Sequence, residues 1–466
     1  MDSADKKLKL SFLGGAGLVT GANFILETTD DEQKQTRIMI DCGLVQGDEN
    51  DEKKNYEPFK YDILSIDSLF VTHAHIDHIG RIPKLVKDGF RGMIFSTPAT
   101  KEISELLLYD ELKILNIDTK KGGLEPLFDE KNIKKTMSLW SAIDYHDVGE
   151  VEGGFSFSFK DAGHILGSAI VQIEYFENRI AFTGDLGNSP SPLLRDTEFV
   201  NADYIIMESV YGDRNHDAKE KRTQIFEEVI KKTISRGGTL LIPLFSVEKT
   251  QVLLRELNNI FEKGNVKQIP IFLDSPLAIN TTEIYKKYPG YFNEDAKKAI
   301  KSGDDIFNFS NLKLTPRVAD SNEIVEVSGP KIIIAGSGMS HGGRILFHES
   351  IYLPDPKNTI LFVGYQPAGT LGRKILDGVK KIEINKKKIK IKANVEEIMS
   401  YSNHKDSDGL FNFIEKAENP EKVFLVMGEP KASLFLAQRI RDYLNIETVC
   451  PREGDTYDLP IYPRQP

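Results

Sequence analysis

The sequence has little that would tie it to a secreted or membrane-bound class of protein. It contains two cysteines, Cys42 and Cys450, which are too few for a disulfide framework. The first seven residues lack the apolar stretch of a signal peptide, and no apolar run is long enough to span a bilayer. We therefore expect a cytoplasmic protein that has no membrane partner.

A surplus of basic charge is also missing. The 466 residues carry a formal net charge of −10, which argues against indiscriminate nucleic-acid binding but leaves room for a local basic groove. One candidate for such a groove is the segment 380–392, where Lys388, Lys390 and Lys392 alternate with isoleucines. This alternation favours a strand with one solvated face.

The order of apolar segments indicates two kinds of architecture, and the length of the chain predicts two domains. Up to about residue 212 short strands predominate, with helical patterns at 100–115 and 131–142. Beyond about residue 218, apolar strands such as 238–243 and 331–335 alternate with helices such as 247–262. That alternation predicts βαβ crossovers and a parallel sheet.

The segment from Thr72 to Gly80 holds four metal-capable side chains within six residues, namely His73, His75, Asp77 and His78. It follows a short apolar run that is typical of a buried strand, so these side chains lie where a strand ends. Imidazoles and carboxylates bind divalent zinc, manganese or iron. His73 and His75 alternate by two and can face one metal, while Asp77 and His78 can face a second.

Two further strand ends carry residues that complete this cluster. His164 follows one strand, in the segment 161–164, and Asp185 follows another, in the segment 183–185. Either residue alone is typical of a turn. In combination, His164 can complete the first metal site with His73 and His75, and Asp185 can bridge two cations. Such a pair of cations activates water and stabilises both oxygens of a displacement at phosphorus.

The set of Asp41, the HAHIDH segment (73–78), His164 and Asp185 resembles the metallo-β-lactamase fold. The block between residues 208 and 404 is similar to a subgroup of that fold, the β-CASP nucleases, which includes the nuclease subunit of the mRNA 3′-end cleavage factor and compact prokaryotic relatives. The matching segments are ESVYGDR (208–214), LDSPLA (273–278), GSGMSHGGR (336–344), GYQPAGTLGR (364–373) and SYSNH (400–404).

The resemblance implies an α/β protein, built as a metallo-β-lactamase αββα sandwich with an inserted parallel-sheet β-CASP domain. The expected domains are 1–212 and 375–466 for the sandwich and 213–374 for the insert, in the compact form without a preceding RNA-binding domain. The implied function is a metal-dependent ribonuclease that cleaves single-stranded RNA in RNA processing or decay. Cutting inside the strand and cutting from a 5′ end are both left open. The implied cofactors are two divalent ions, with zinc the first choice and manganese and iron compatible.

The resemblance also assigns roles to individual residues. Asp77 is catalytic as well as a ligand, and Asp41 supports the site. Glu208 orients His404, whose protonated imidazole donates to a phosphate oxygen or to the leaving oxygen. Without the family context, Glu208 would be interpreted as an exposed strand-end charge, and His404 as a residue at a helix start.

The glycine-rich segment 336–344 is expected to contact substrate. Backbone N–H groups there, including that of Gly338, can bind the RNA backbone together with Ser337 and Arg344. An equally good interpretation is a turn that ties a strand to a helix. Single-stranded RNA is thus the expected partner, and a second copy of the chain in a homodimer is the other partner considered.

One position departs from the family pattern. The family carries a histidine ligand of the second metal in a His-Gly-Glu triplet after a late strand, but this chain has Met427 before Gly428 and Glu429. A thioether is a soft, weak ligand for zinc or manganese, so the second metal is expected to bind less tightly. The alternative to a nuclease is therefore a weakened or inactive RNA-binding paralogue, and a small-molecule hydrolase is a second rival. Whether Met427 is natural or engineered is left open.

Overall fold

The computed structural model describes residues 7–29, 34–47, 49–120, 123–217, 221–367, 369–418 and 420–461. The chain forms two compact units. The first unit comprises residues 1–190, 196–215 and 404–466, and the second comprises 191–195 and 216–403. The main segment of the second unit begins at His216, three residues after the expected start of the inserted domain, and continues to Asn403, beyond the expected end at residue 374.

The secondary structure is mixed throughout. The strands of the described residues are β1 (Lys7–Gly14), β2 (Asn23–Thr29), β3 (Gln35–Ile40), β4 (Ser68–Phe70), β5 (Met93–Ser96), β6 (Trp140–Ala142), β7 (Gly149–Val151), β8 (Phe155–Asp161), β9 (Ala169–Tyr175), β10 (Asn178–Phe182), β11 (Tyr204–Glu208), β12 (Thr239–Pro243), β13 (Ile271–Asp274), β14 (Leu312–Leu314), β15 (Lys331–Ala335), β16 (Thr359–Phe362), β17 (Lys381–Ile384), β18 (Lys387–Lys390), β19 (Asn394–Glu397), β20 (Lys422–Val426), β21 (Glu447–Val449) and β22 (Thr456–Pro460). The α-helices are α1 (Glu49–Lys53), α2 (Ile76–Ile79), α3 (Ile82–Lys87), α4 (Pro98–Lys120), α5 (Glu130–Ser138), α6 (Arg222–Ser235), α7 (Lys249–Glu262), α8 (Pro276–Lys287), α9 (Glu294–Lys301), α10 (Val318–Glu326), α11 (Ile345–Tyr352), α12 (Leu371–Leu376), α13 (Ser407–Glu415) and α14 (Pro430–Leu444).

The first unit contains two sheets that pack face to face. One has the order β22-β1-β2-β3-β4-β5-β6 and the other β21-β20-β11-β10-β9-β8-β7. Their inner faces share one apolar core, in which the rings of Phe12 and Phe424 lie 5.4 Å apart and those of Phe24 and Phe182 lie 6.2 Å apart. Each sheet is antiparallel at one side and parallel at the other. The parallel strands matter for function because their carboxyl ends meet at one edge.

Helices cover the outer faces and complete the αββα sandwich. On the second sheet, Ile205 and Leu425 pack against Phe413 of α13 and Leu436 of α14 in one buried cluster. Beside the first sheet, helices α3 to α5 contribute further buried apolar side chains, and Lys101 of α4 donates a 2.6 Å hydrogen bond to a backbone carbonyl of β6. The predicted fold class is confirmed for this unit.

The second unit is built around a parallel sheet with the order β14-β13-β15-β12-β16-β19. Its central strands β12, β13 and β15 are buried at every position, as continuous apolar runs in a sheet covered on both faces should be. Helices alternate with these strands along the chain, which confirms the predicted βαβ architecture. The lysine-rich segment forms the antiparallel hairpin β17–β18.

One predicted element is wrong at its end. The helix expected at 131–142 is α5, which ends at Ser138, and Trp140–Ala142 is instead a strand paired with β5. Trp140 is buried and its indole N–H donates a 2.8 Å hydrogen bond to Ser96 Oγ, so tertiary contacts override the local helical pattern.

Among the described residues, no helix is both long and apolar enough to cross a membrane.

Candidate metal centre

The site begins where strands β3 and β4 end side by side. Asp41 follows β3 and adopts a left-handed backbone with φ +58°, a conformation that aspartate tolerates better than most residues. Its two carboxylate oxygens accept hydrogen bonds of 2.8 Å from the Thr72 backbone N–H and from the Thr72 hydroxyl. This contact fixes the start of the histidine segment, which then runs into the short helix α2.

Four side chains converge at this edge of the first unit. The histidine segment supplies His73 and His75, the loop after β8 supplies His164, and the loop after β10 supplies Asp185. One ligand atom from each lies within 4.8 Å of the others. Asp185 Oδ2 is 3.3 Å from His73 Nε2 and 3.5 Å from His164 Nε2, while His75 Nδ1 is 3.0 Å from His73 Nε2. Three imidazoles and a carboxylate in this arrangement match the donor set of a zinc-type site.

His78 and Asp77 lie on the other side of Asp185. Asp41 holds the His78 ring through a 2.7 Å contact to Nδ1, so Nε2 is directed toward Asp185 Oδ1 at 3.5 Å and Asp77 Oδ2 at 3.9 Å. His78 Nε2 and Asp185 Oδ1 are both buried and have no hydrogen-bond partner. Leaving such atoms unsatisfied costs about 1–3 kcal/mol each. A cation between them would satisfy both, so the residues fit a second ion.

The electrostatics favour metal binding as well. Burial lowers the pKa of His73 and holds the pKa of His75 and of His164 well below its usual range, which keeps these rings neutral and able to bind a cation. Burial alone would raise the pKa of Asp185, but the adjacent His78 and His73 outweigh burial and hold that pKa well below its usual range. The carboxylate is therefore ionised and available as a ligand.

Glu208 and His404 form a pair next to Asp185. Glu208 ends strand β11 and is fully buried, so it is not an exposed strand-end charge. One of its oxygens accepts a 2.5 Å hydrogen bond from the Leu186 backbone N–H, and both lie 3.2–3.3 Å from His404 Nδ1. His404 Nδ1 is 4.0 Å from Asp185 Oδ2, and the His404 side chain is 26% exposed. Burial raises the pKa of Glu208 although His404 opposes the shift.

Met427 directly follows strand β20, whose last residue Val426 pairs with Glu208 at the end of β11. It is 2% exposed, has φ +48°, and donates a 2.6 Å backbone hydrogen bond to the Gly15 carbonyl. Its sulfur lies 2.5 Å from the point where a Cβ on Gly15 would stand, so Gly15 is needed for the packing of this side chain. Met427 and His78 line the same small cavity. The methionine therefore lies at the His78 side of the centre and packs with the apolar core.

The residues expected to contact substrate lie in the second unit. Ser337 Oγ accepts a 3.0 Å hydrogen bond from the His341 N–H, and a Cβ on Gly338 would stand 2.7 Å from the Phe245 ring. The Arg344 guanidinium donates to buried Asp274 at 2.7 Å and also to the carbonyl oxygens of residues 315 and 316. Arg344 thus holds the glycine-rich loop to strand β13, as the turn interpretation expects.

The sequence interpretation missed the acceptor of this arginine. Asp274 ends strand β13 within the LDSPLA segment, and it also accepts a 2.7 Å hydrogen bond from His348 Nε2. Its position at a strand end was the available signal. Its partners come from residues 41 to 74 positions further along the chain, so sequence spacing does not reveal them.

Comparison with known protein families gives three matches in chain order. Residues 30–210 match a metallo-beta-lactamase superfamily domain, residues 250–375 a Beta-Casp domain, and residues 388–451 a Zn-dependent metallo-hydrolase RNA specificity domain. The metal-ligand candidates from His73 to Asp185 fall within the first match, and His404 and Met427 within the third.

Several curated proteins resemble the chain over most of its length. Ribonuclease TTHA0252 of Thermus thermophilus is 34% identical over 91% of this chain and 94% of that protein. An RNase J-like protein of Methanocaldococcus jannaschii is 33% identical, covering 92% and 95%. Transcription termination factor FttA of Methanosarcina mazei is 32% identical over 96% of this chain and 71% of that protein.

Comparison with solved structures supports the same fold. A protein of unknown function from Enterococcus faecalis aligns over 97% of this chain and 100% of that chain, with a TM-score of 0.56 and 15% sequence identity. The ordered family matches and the full-length relatives together decide the classification. The chain belongs to the β-CASP ribonuclease family of metallo-β-lactamase-fold hydrolases.

Proposed function

We propose that this protein is a metal-dependent ribonuclease that hydrolyses phosphodiester bonds of single-stranded RNA in RNA processing or decay. The observation that carries the proposal is the convergence of His73, His75, His164 and Asp185 within 4.8 Å, next to the Glu208–His404 pair. The relatives named as ribonucleases and the match to an RNA specificity domain support RNA as the substrate class.

The proposed centre holds two divalent ions, with zinc as the first choice and manganese and iron as alternatives. His73, His75, His164 and Asp185 would hold the first ion, and Asp77, His78 and Asp185 the second. Divalent ions at such a centre supply an activated water and Lewis-acid stabilisation of the phosphoryl oxygens. The second ion is proposed to be the weaker one, because Met427 offers a thioether where the family has an imidazole.

The protein groups around the ions have separate tasks. Asp41 fixes the His78 ring, as a carboxylate behind a metal-binding histidine typically does. Glu208 orients His404, and we propose that protonated His404 donates its proton to a phosphate oxygen or to the leaving oxygen. Hydrolysis of this kind leaves a 3′-hydroxyl and a 5′-phosphate.

The direct test is cleavage of labelled single-stranded RNA, as a linear strand with a 5′-phosphate and as a circle. Purified protein should cut both after zinc is restored to a chelator-treated sample, and His404→Ala should cut neither while it retains its metal. Cleavage of the linear strand alone would restrict the activity to a 5′-exonuclease. Failure to cut either strand in zinc, manganese and iron would contradict the proposal.

Met427 supports a second candidate function, a weakened or inactive RNA-binding paralogue. In that case Met427→His would gain RNA cleavage and the wild-type protein would show none. Robust cleavage by the wild type, at a rate similar to that of Met427→His, would exclude this candidate. Rapid hydrolysis of a lactam or thioester without RNA cleavage would favour a small-molecule hydrolase instead.

Three finer expectations stay predictions. We propose that Ser337 and the Gly338 backbone contact RNA directly, whereas Arg344 acts by holding their loop through Asp274. We also propose a cytoplasmic location, where such RNA turnover takes place. A homodimer stays a prediction that the mass measured by light scattering would decide.

A further inference from the structure

The hairpin β17–β18 concentrates positive charge in a chain that is acidic as a whole. Residues 380–392 contain seven lysines and one glutamate, whereas the full chain has a net charge of −10. Strands β17 and β18 pair in antiparallel register, with Lys381 opposite Lys390 and Ile382 opposite Ile389. Because side chains alternate between the faces of a strand, the register separates an isoleucine face from a lysine face.

The isoleucine face anchors the hairpin to the second unit. Ile382 and Ile384 are 5% and 3% exposed and belong to the buried cluster of that unit, and Ile389 and Ile391 pack against the same cluster. The Lys392 N–H also donates a 2.8 Å hydrogen bond to the Leu353 carbonyl. The hairpin is therefore a firmly held platform rather than a loose loop.

The lysine face carries Lys381, Lys388, Lys390 and Lys392, all of which are exposed, together with one exposed carboxylate, Glu383, opposite Lys388. Lysines 388, 390 and 392 recur at every second residue, which spaces them by about 6.8 Å along an extended chain. Lys381 and Lys390 lie directly opposite each other, a like-charge placement that destabilises a hairpin. Within the described residues, no ion pair joins any of these four lysines to a carboxylate.

The turn of the hairpin adds to this charge. Asn385 and Lys386 both have positive φ, 50° and 63°, in a two-residue turn where glycine is preferred at the second position. A lysine in that conformation costs about 1–2 kcal/mol relative to glycine. Within the part of the chain that the structure describes, neither Lys386 nor the lysine face forms an ion pair, so their charge is available to a polyanion outside the protein.

We propose that the lysine face binds the phosphate backbone of RNA without regard to base sequence, as a contact area in addition to the metal centre. Lysine ammonium groups act as point charges toward phosphate and do not select bases. The identification of the polyanion as RNA, rather than an anionic lipid surface, rests on the proposed function. The binding itself does not require an active metal centre.

The test measures binding of the full chain to a fluorescein-labelled oligouridine by anisotropy, in EDTA to prevent cleavage, over a series of salt concentrations. The test variant replaces Lys381, Lys388, Lys390 and Lys392 with glutamine. If each lysine neutralises one phosphate, the log–log salt dependence should become shallower by about 2–3 and affinity at low salt should fall on the order of tenfold or more. A variant with arginine at the same four positions should keep wild-type affinity. Such a result would show that the glutamine variant binds less tightly because it lost charge and not because it misfolded.

A matched control removes the same charge from the same unit at lysines that are ion-paired. It replaces Lys231, Lys286, Lys297 and Lys298, whose partners are Glu227, Glu283, Glu294 and Asp295, with glutamine. The control should bind like the wild type. Equal loss in the control, or no loss in the hairpin variant, would overturn the inference.

Two further readouts keep this inference separate from the proposed function. The protein should not bind vesicles of phosphatidylcholine with phosphatidylserine. If it binds these vesicles and does not bind the oligouridine, RNA is not the partner of the lysine face. RNA cleavage with no hairpin-dependent binding would overturn only the hairpin inference. Hairpin-dependent binding without cleavage in any metal would leave the inference standing and contradict only the proposed function.

Discussion

Two buried carboxylates at strand ends, one in each unit, differ in how fully the protein satisfies their oxygens with hydrogen bonds. Asp274 at the end of β13 accepts hydrogen bonds of 2.5–2.9 Å from Thr315, Ser321, Arg344 and His348. Asp185 after β10 has histidine nitrogens at 3.3–3.5 Å, and its Oδ1 has no hydrogen-bond partner. Both carboxylates are nearly inaccessible to solvent.

The difference separates a structural site from a candidate metal site. Asp274 is satisfied by protein donors alone, since a carboxylate with four close donors has no room for a cation. Its pKa is lowered to about 2, because the hydrogen bonds from His348, Ser321 and Arg344 outweigh the effect of burial. Asp185 has imidazole nitrogens of His73, His78 and His164 at 3.3–3.5 Å, which is longer than a strong hydrogen bond and leaves its Oδ1 open to a cation.

Substitution at Asp185 should have the largest effect on activity. Asp185→Asn removes the bridging charge, so we expect cleavage to fall on the order of a thousandfold, since Lewis-acid stabilisation is worth several kcal/mol. The unfolding temperature of the metal-free variant should fall much less than that of Asp274 variants, because within the described residues Asp185 has only histidine nitrogens at 3.3–3.5 Å as close partners. If Asp185→Asn lost as much unfolding free energy as Asp274→Ala, Asp185 would also be a structural carboxylate, and the two sites would not differ in this way.

Substitution at Asp274 should have the largest effect on stability. Asp274→Ala removes the carboxylate that pairs with the Arg344 guanidinium and accepts from His348 Nε2, so we expect a loss of about 3–5 kcal/mol in the free energy of unfolding. Metal content measured on the folded protein should stay at the wild-type value. Loss of metal without loss of stability would assign Asp274 to a binding site instead.

Asp41 tests the support of the centre. Asp41→Asn keeps the size of the side chain but removes the charge behind His78, so we expect a decrease of about 10–100-fold in metal affinity or activity. Titration of the metal-free protein with zinc, followed by calorimetry, measures the affinity. Asn132→Asp, at a distant helix start, serves as a charge-changing control and should bind zinc like the wild type.

Glu349 is a third buried carboxylate, and taken per pH unit its effect is the smallest. One oxygen accepts a 2.5 Å hydrogen bond from Ser340 and the other has no partner, and burial raises its pKa from 4.5 to about 8. The folded state therefore holds a proton that the unfolded state releases, and stability should fall by about 1.4 kcal/mol per pH unit between these two values.

The measurement for Glu349 is the melting temperature of the wild type and of Glu349→Gln between pH 5 and the pKa of about 8. The melting temperature of the wild type minus that of Glu349→Gln should decrease as pH rises, because Glu349 ionises and the glutamine cannot. Parallel pH profiles for the two proteins would show that Glu349 is already ionised in the folded protein at neutral pH, which contradicts the raised pKa.

Most of the candidate centre could be predicted from the sequence because its residues follow strands. Parallel neighbours such as β3–β4 and β10–β11 bring their carboxyl ends to one edge, so Asp41 meets the histidine segment and Asp185 lies near Glu208. The strand ends alone predict that His73, His75, His164 and Asp185 cluster, whereas Asp41, Glu208 and His404 are assigned by the family resemblance. Their assigned roles stay predictions until the variants are measured.

The parts that could not be predicted depend on contacts between distant residues. Arg344 resembled a phosphate ligand in its glycine-rich segment, but it pairs with Asp274, which lies 70 residues earlier. Trp140 continued a helical pattern, but its indole N–H bonds to Ser96 and places it in a strand. In both cases partners distant in sequence decided the outcome, and local periodicity carries no information about such partners.

The most direct test of the central claim is the number of zinc ions that each chain retains after dialysis against a weak chelator. The wild type should retain one, held by the complete set His73, His75, His164 and Asp185, and Met427→His should retain two. Histidine tolerates the positive φ at position 427 comparatively well, so the variant should fold. Met427→Leu, as control, should retain one. Two ions in the wild type, or no gain in Met427→His, would contradict the claim that Met427 leaves the second site incomplete.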